Sequence, residues 1–205
     1  MRKLARIVSA LTHPLFIPLA AVYIAYNFDW FINGSLSDEQ IRIVYMIVAF
    51  STLIFPLLNI LLLKWYGVVS SLSMPHRAER HAPYISTIFF FALGYYMLRK
   101  GALPDAIFSI LTGTLLTLAL IAVINFKWKI SAHAAGIFGL VGVVIGLFQT
   151  HSYGNITLLS LLVLVGGLVI SSRLVLNAHT PAEAYWGAGL GFVASYLCVY
   201  LGIFI

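Results

Sequence analysis

Residues 103–149 read LPDAIFSILTGTLLTLALIAVINFKWKISAHAAGIFGLVGVVIGLFQ. Two apolar runs, 103–125 and 133–149, flank a short polar break that carries Lys127, Lys129 and Ser131. Each run is long enough, or nearly so, to cross a hydrocarbon core of about 30 Å at about 1.5 Å per residue. In that solvent every backbone N–H and C=O has to be bonded within the chain, so the runs are expected to be helices.

The same pattern extends in both directions. Further apolar segments lie at 8–26, 42–63, 83–98, 156–172 and 181–204. The 205 residues are 61% apolar and 9% charged. A soluble domain carries about 25% charged residues, so a soluble globular protein is excluded. Disorder is excluded by the same deficit of charge. The expectation is an all-α, polytopic bundle of six to seven spans, forming a single integral membrane domain over 1–205. The segment at 83–98 is the shortest of the seven. The basic amino end superficially resembles a signal peptide. The apolar stretch behind it is too long and lacks an obvious cleavage site, so 8–26 is read as a retained first helix. The one cysteine, Cys198, cannot form a disulfide within the chain.

Charge sets the sidedness. Twelve Lys and Arg stand against six Asp and Glu, a net charge of +6, and no cation run is long. Nucleic-acid binding is therefore not expected. Seven crossings would put the amino end, 64–82, 126–132 and 173–180 on one face. That face holds Arg2, Lys3, Arg6, Lys64, Arg77, Arg80, Lys127, Lys129 and Arg173. The opposite face holds Asp29, Asp38, Glu39, Arg99 and Lys100. The positive-inside rule makes the first face cytoplasmic, in a multi-pass protein of a bacterial-type inner membrane.

Three loops on that face share an unusual content. They read Met74-Pro75-His76-Arg77-Ala78-Glu79-Arg80-His81-Ala82-Pro83, then Lys127-Trp128-Lys129-Ile130-Ser131-Ala132-His133, then Ser172-Arg173, five residues, and His179-Thr180-Pro181-Ala182-Glu183. Each ends where a helix begins. Helix amino ends and free N–H groups favour an anion, and arginine suits bidentate phosphate binding.

The loops resemble the three signatures of the type 2 phosphatidic acid phosphatase superfamily, KxxxxxxRP, PSGH and SRxxxxxHxxxD, over about residues 74–190. Ser172, Arg173 and His179 match the third, with Glu183 in the place of its Asp. Ser131 and His133 match half of the second. Of the first, Pro83 remains; Arg77 and Arg80, expected on one helical face, could take over its role, and Lys129 could supply the missing ammonium. The resemblance implies a membrane lipid phosphatase that needs no metal and no cofactor. His179 would be the nucleophile, forming a phosphohistidine. His133 would be the general acid. Arg77, Arg80, Lys129, Ser131 and Arg173 would bind phosphate.

Other readings stand beside these. Glu183 either fixes the His179 tautomer or completes a capping box with Thr180; one carboxylate can do both. Ser131 suits the N-cap of the helix that follows it. His13 and His151 lie apart from the three loops and are read as structural. The expected substrate is a lipid phosphomonoester or diphosphate of the phosphatidic acid, phosphatidylglycerophosphate or prenyl diphosphate class. The partners expected are that substrate and the bilayer, with the oligomeric state open. A member that binds phospholipid without turnover, and a transporter, are the alternatives.

Overall fold

The computed structural model describes residues 1–205 except Leu72, Ser73, Pro75 and Tyr153. Pro75, part of the first of the three loops, thus lies outside the described residues. Among the described residues every regular element is a helix. Ten α-helices follow in order: α1 (Arg2–Leu11), α2 (Ile17–Phe28), α3 (Trp30–Ser35), α4 (Asp38–Ala49), α5 (Phe55–Trp65), α6 (His81–Leu98), α7 (Asp105–Asn125), α8 (Ala132–His151), α9 (Ile156–Val175) and α10 (Pro181–Tyr200). Among the described residues five stretches are long and apolar enough to cross a membrane: Arg2–Phe28, Asp38–Trp65, α7, α8 and α9.

Two of those stretches are not continuous α-helix. The first breaks at His13, because Pro14 has no N–H to offer the preceding turn. A 3₁₀ turn over Pro14–Phe16 then leads into α2. The second passes through a π-helical turn, Phe50–Ile54, just ahead of Pro56. A π turn is one way a helix absorbs a proline that cannot bond the turn before it.

The helix starts are capped in the polar segments. Ser37 forms a capping box with Gln40, and Asp29, Ser131 and Asn155 accept N–H bonds from the first turns of α3, α8 and α9. At the end of the bundle away from the three loops, the Asp29 carboxylate also meets His151 Nδ1 at 2.5 Å.

The seven sequence segments map onto these helices with shifted ends. The core sits on α7 and α8, the most enclosed of the membrane-length helices. α8 packs most intimately on α10, along small residues. A Cβ at Gly142 would lie 3.0 Å from the Tyr196 backbone nitrogen. One at Gly187 would lie 2.6 Å from the Ser131 carbonyl oxygen. Glycine lets the two backbones approach, as in tightly packed membrane helices. Large apolar side chains on the outer faces, among them Phe89, Leu164 and Trp186, are exposed, as a lipid-facing surface requires.

Candidate functional site

Four segments meet at one end of the bundle. The first is the break after α1. The His13 N–H bonds to the Ala10 carbonyl, one residue later than a regular α-helix would have it. This leaves the Ser9 carbonyl to accept the Nε2–H of His133, at 3.1 Å. The Ser9 hydroxyl accepts from Arg173 at 3.3 Å. His13 adopts an extended backbone, and its Nδ1 accepts the Leu15 N–H. The neutral ring therefore carries its proton on Nε2.

The second segment opens α8. Ser131 is fully buried and accepts the Ala134 N–H at 3.3 Å, with His133 in the first turn that it caps. The third runs from the last turn of α9 into α10. Arg173 closes α9, and Asn177 takes a left-handed conformation with φ of 51°, which turns the chain back after a helix end. His179 follows, just ahead of the Thr180 N-cap. Thr180 and Glu183 form the expected capping box. The fourth is the 3₁₀ turn Ala78–Arg80, whose Arg80 is 7% exposed and donates from Nε to the Met74 carbonyl.

These segments bring Arg80, His133, Arg173 and His179 to the wall of one cavity of about 410 Å³. His13 lines it too, with its ring 5.3 Å from that of His133 in an edge-to-face pair. The expectation that His13 stands apart is thereby corrected. The helix break turns it inward, and Ser9 on the same element reaches both His133 and Arg173. No signal in the three loops could have found either residue, because both belong to the first apolar segment.

The remaining expected residues surround the cavity without lining it. Glu183 bonds His179 and the Thr180 N–H together, so its two roles coexist. Lys129 contributes its backbone carbonyl to His179. The Ser131 hydroxyl is engaged in capping. Arg77 is exposed, and its carbonyl accepts from the Asn125 amide at 3.1 Å. Arg77 and Arg80 therefore do not share one environment.

The protonation of His179 follows from its contacts. Nδ1 faces two acceptors, the Lys129 carbonyl at 3.0 Å and the Glu183 carboxylate at 3.2 Å. It must carry the proton, which leaves the Nε2 lone pair free. Burial, then the Arg80 and Arg173 guanidiniums, lower its pKa to about 4, against the pull of the Lys129 carbonyl and Glu183. Near neutral pH the ring is uncharged and nucleophilic. Lys129 is also held below the ordinary lysine range, first by burial and then by Arg80 and Arg173, with Glu183 opposing.

The charge balance is one-sided. Among the described residues no carboxylate lines the cavity. Among the described residues the side-chain ion pairs are His179–Glu183 and His151–Asp29, so neither Arg80 nor Arg173 has a carboxylate partner. Arg173 Nε is buried without a hydrogen-bond partner. Arg80 is buried and Arg173 half-buried; cations withdrawn from water without a counter-charge are unfavourable, so two guanidiniums beside a neutral imidazole give the cavity a positive wall that attracts an anion. Among the described residues no group of three His, Cys, Asp or Glu is placed to hold a metal ion. Compared with family models, curated proteins and solved structures, the chain gives no match.

Proposed function

We propose that this protein is an integral membrane lipid phosphatase of the type 2 phosphatidic acid phosphatase superfamily. The observation that carries the reading is the cavity head. There the unpaired guanidiniums of Arg80 and Arg173 share one space with the free Nε2 of His179.

In this reading the phosphate sits against the two guanidiniums. His179 Nε2 attacks phosphorus, a P–N bond forms, and the P–O bond to the lipid breaks. The Nδ1 proton stays between the Lys129 carbonyl and Glu183, which stabilise the ring as it gains charge. His133, held through Nε2–H by Ser9, gives the leaving oxygen a proton from Nδ1 when it is an imidazolium. The neutral ring then takes a proton from the water that cleaves the phosphohistidine.

The membrane frame belongs to the same proposal. α6 and α10, of 18 and 20 residues, supply two crossings beyond the five membrane-length stretches. The cavity head then lies on the cytoplasmic face of an inner membrane, where the cations accumulate.

The test is phosphate release from lipid phosphates by solubilised protein. Wild type should turn over and His179→Ala should not. Excess EDTA should leave the rate largely intact, and orthovanadate should inhibit. A second reading, phospholipid binding without turnover, is favoured by the positions of Arg77, Lys129 and Ser131 off the cavity wall. Vanadate binding without phosphate release would select it.

A further inference from the structure

One segment is tied to α8 at both of its ends. His13 lies beside His133, with ring centroids 5.3 Å apart, and Asp29 pairs with His151. On α8, His133 and His151 are about 27 Å apart at the helical rise, close to the whole of a hydrocarbon core of about 30 Å. In the membrane frame proposed above, the chain from His13 to Asp29 therefore makes the crossing beside α8. The break at His13 and Pro14 leaves α1 outside that crossing.

α1 has three unlike sides. At about 3.6 residues per turn, Leu4, Ile7 and Leu11 share one of them, and they are 66%, 55% and 74% exposed. Ala5 and Ser9, one turn apart, are buried where α1 packs on α9. Arg2, Lys3 and Arg6 are exposed on the remaining side. Those cations would be costly in an acyl core, and three large aliphatic side chains gain nothing from water. An apolar side with cations opposite it holds a helix in the plane of a membrane interface. Ser9 connects this helix to the cavity head. Its carbonyl accepts from His133 at 3.1 Å and its hydroxyl accepts from Arg173 at 3.3 Å, so the seat of α1 decides whether both are held.

We propose that α1 docks on the anionic headgroup layer of the bilayer and that this seating holds Ser9 against His133 and Arg173. Leu4, Ile7 and Leu11 enter the acyl boundary, and Arg2, Lys3 and Arg6 stay among the headgroups, whose negative charge they complement. The proposal rests on the membrane frame and not on the phosphatase chemistry. It makes the bilayer surface a structural member of the cavity head.

The experiment uses the full chain in nanodiscs of phosphatidylcholine, alone or mixed with phosphatidylglycerol. A nitroxide is attached at Ile7→Cys or at Ala10→Cys, the latter exposed on the cationic side; the buried Cys198 stays unlabelled. The Ile7→Cys label should meet dissolved oxygen more than a water-soluble nickel chelate, and the Ala10→Cys label the reverse. With phosphatidylglycerol present, Arg2→Gln, Lys3→Gln and Arg6→Gln should each lower the ratio of docked to free α1 about fivefold, from about 1 kcal/mol per charge at an anionic surface. In phosphatidylcholine alone they should leave it unchanged. Leu4→Gln, Ile7→Gln and Leu11→Gln together should undock α1 in both lipids. Carbethoxylation of His133, its Nε2 then freed, should rise relative to His151 at the far end of α8, as read by mass spectrometry.

Equal access of the chelate to both labels would put α1 in water and overturn the proposal. So would a preference for oxygen at both, which would put it in the acyl core. Cation variants that act alike in the two lipids, or in neither, would overturn the anionic partner and leave Arg2, Lys3 and Arg6 as topology charges. Unchanged His133 reactivity after undocking would overturn the hold through Ser9. None of these readouts uses turnover. A docked α1 in a protein that releases no phosphate keeps the inference and removes the phosphatase reading; turnover with α1 in water does the opposite.

Discussion

His179 lines the cavity and has its proton fixed on Nδ1 by two acceptors, and in the proposed mechanism this sets the pH at which the nucleophile exists. Its pKa is lowered to about 4, so the neutral ring persists above that value and is lost below it. With His133 required as an imidazolium and His179 as a neutral ring, turnover is expected to rise from pH 7 toward about 5 and to fall as pH passes through about 4. A half-loss near 6.5, the ordinary histidine value, would contradict the geometry. Glu183 can be dissected in the same terms. Glu183→Gln retains an acceptor for the Thr180 N–H but holds an imidazolium less well. It should slow turnover by about 10- to 100-fold with little change in the unfolding midpoint. Glu183→Ala should lose the rate and also about 0.5–2 kcal/mol of stability, as capping losses do. A wild-type rate in Glu183→Gln would leave Glu183 as a cap alone.

Among the elements, the seam between α8 and α10 fixes the site most directly, since it sets Ser131 and His133 against His179. A Cβ on Gly191 would overlap the Ala135 carbonyl, which is backbone and cannot move aside cheaply. Gly191→Leu should destabilise the protein by at least about 1–3 kcal/mol, read as a lower unfolding temperature, and should reduce turnover with it. Gly189→Leu, where a Cβ meets nothing within 4 Å, is the control. The helices themselves were legible because long apolar runs leave a chain in lipid no other way to bond its backbone. Caps at Ser131 and Thr180 were legible from residue type and spacing. The break at His13 was not, because Pro14 near the start of an apolar run reads equally well as a tolerated interruption. The π turn before Pro56 was hidden for the same reason. Of the candidate site, residues in order along the loops could be found. Ser9 and His13 could not, because the packing of α1 on α9, which brings them there, leaves no local pattern.

At the scale of the whole molecule, the four segments around the cavity head should face one compartment. Under the proposed sidedness, a cysteine placed at the exposed Lys127 should react with an impermeant maleimide only after the membrane is opened, whereas native Cys198 is buried and should stay unlabelled. Labelling of intact spheroplasts would reverse the sidedness. The same cavity head also ties folding to solution composition. Arg80 and Arg173, without carboxylate partners, repel one another and Lys129 whenever no anion lies between them. The folded state therefore gains whatever an anion supplies by binding it and not the unfolded chain. That gain follows RT ln(1 + [L]/Kd), about 2.7 kcal/mol at a hundredfold excess over Kd. Exchanging chloride for phosphate at constant ionic strength should raise the unfolding temperature. Arg173→Gln should flatten this dependence while raising the midpoint in chloride. The choice of buffer anion during extraction then becomes a thermodynamic variable of the fold, and a preparation kept in phosphate would outlast one kept in chloride.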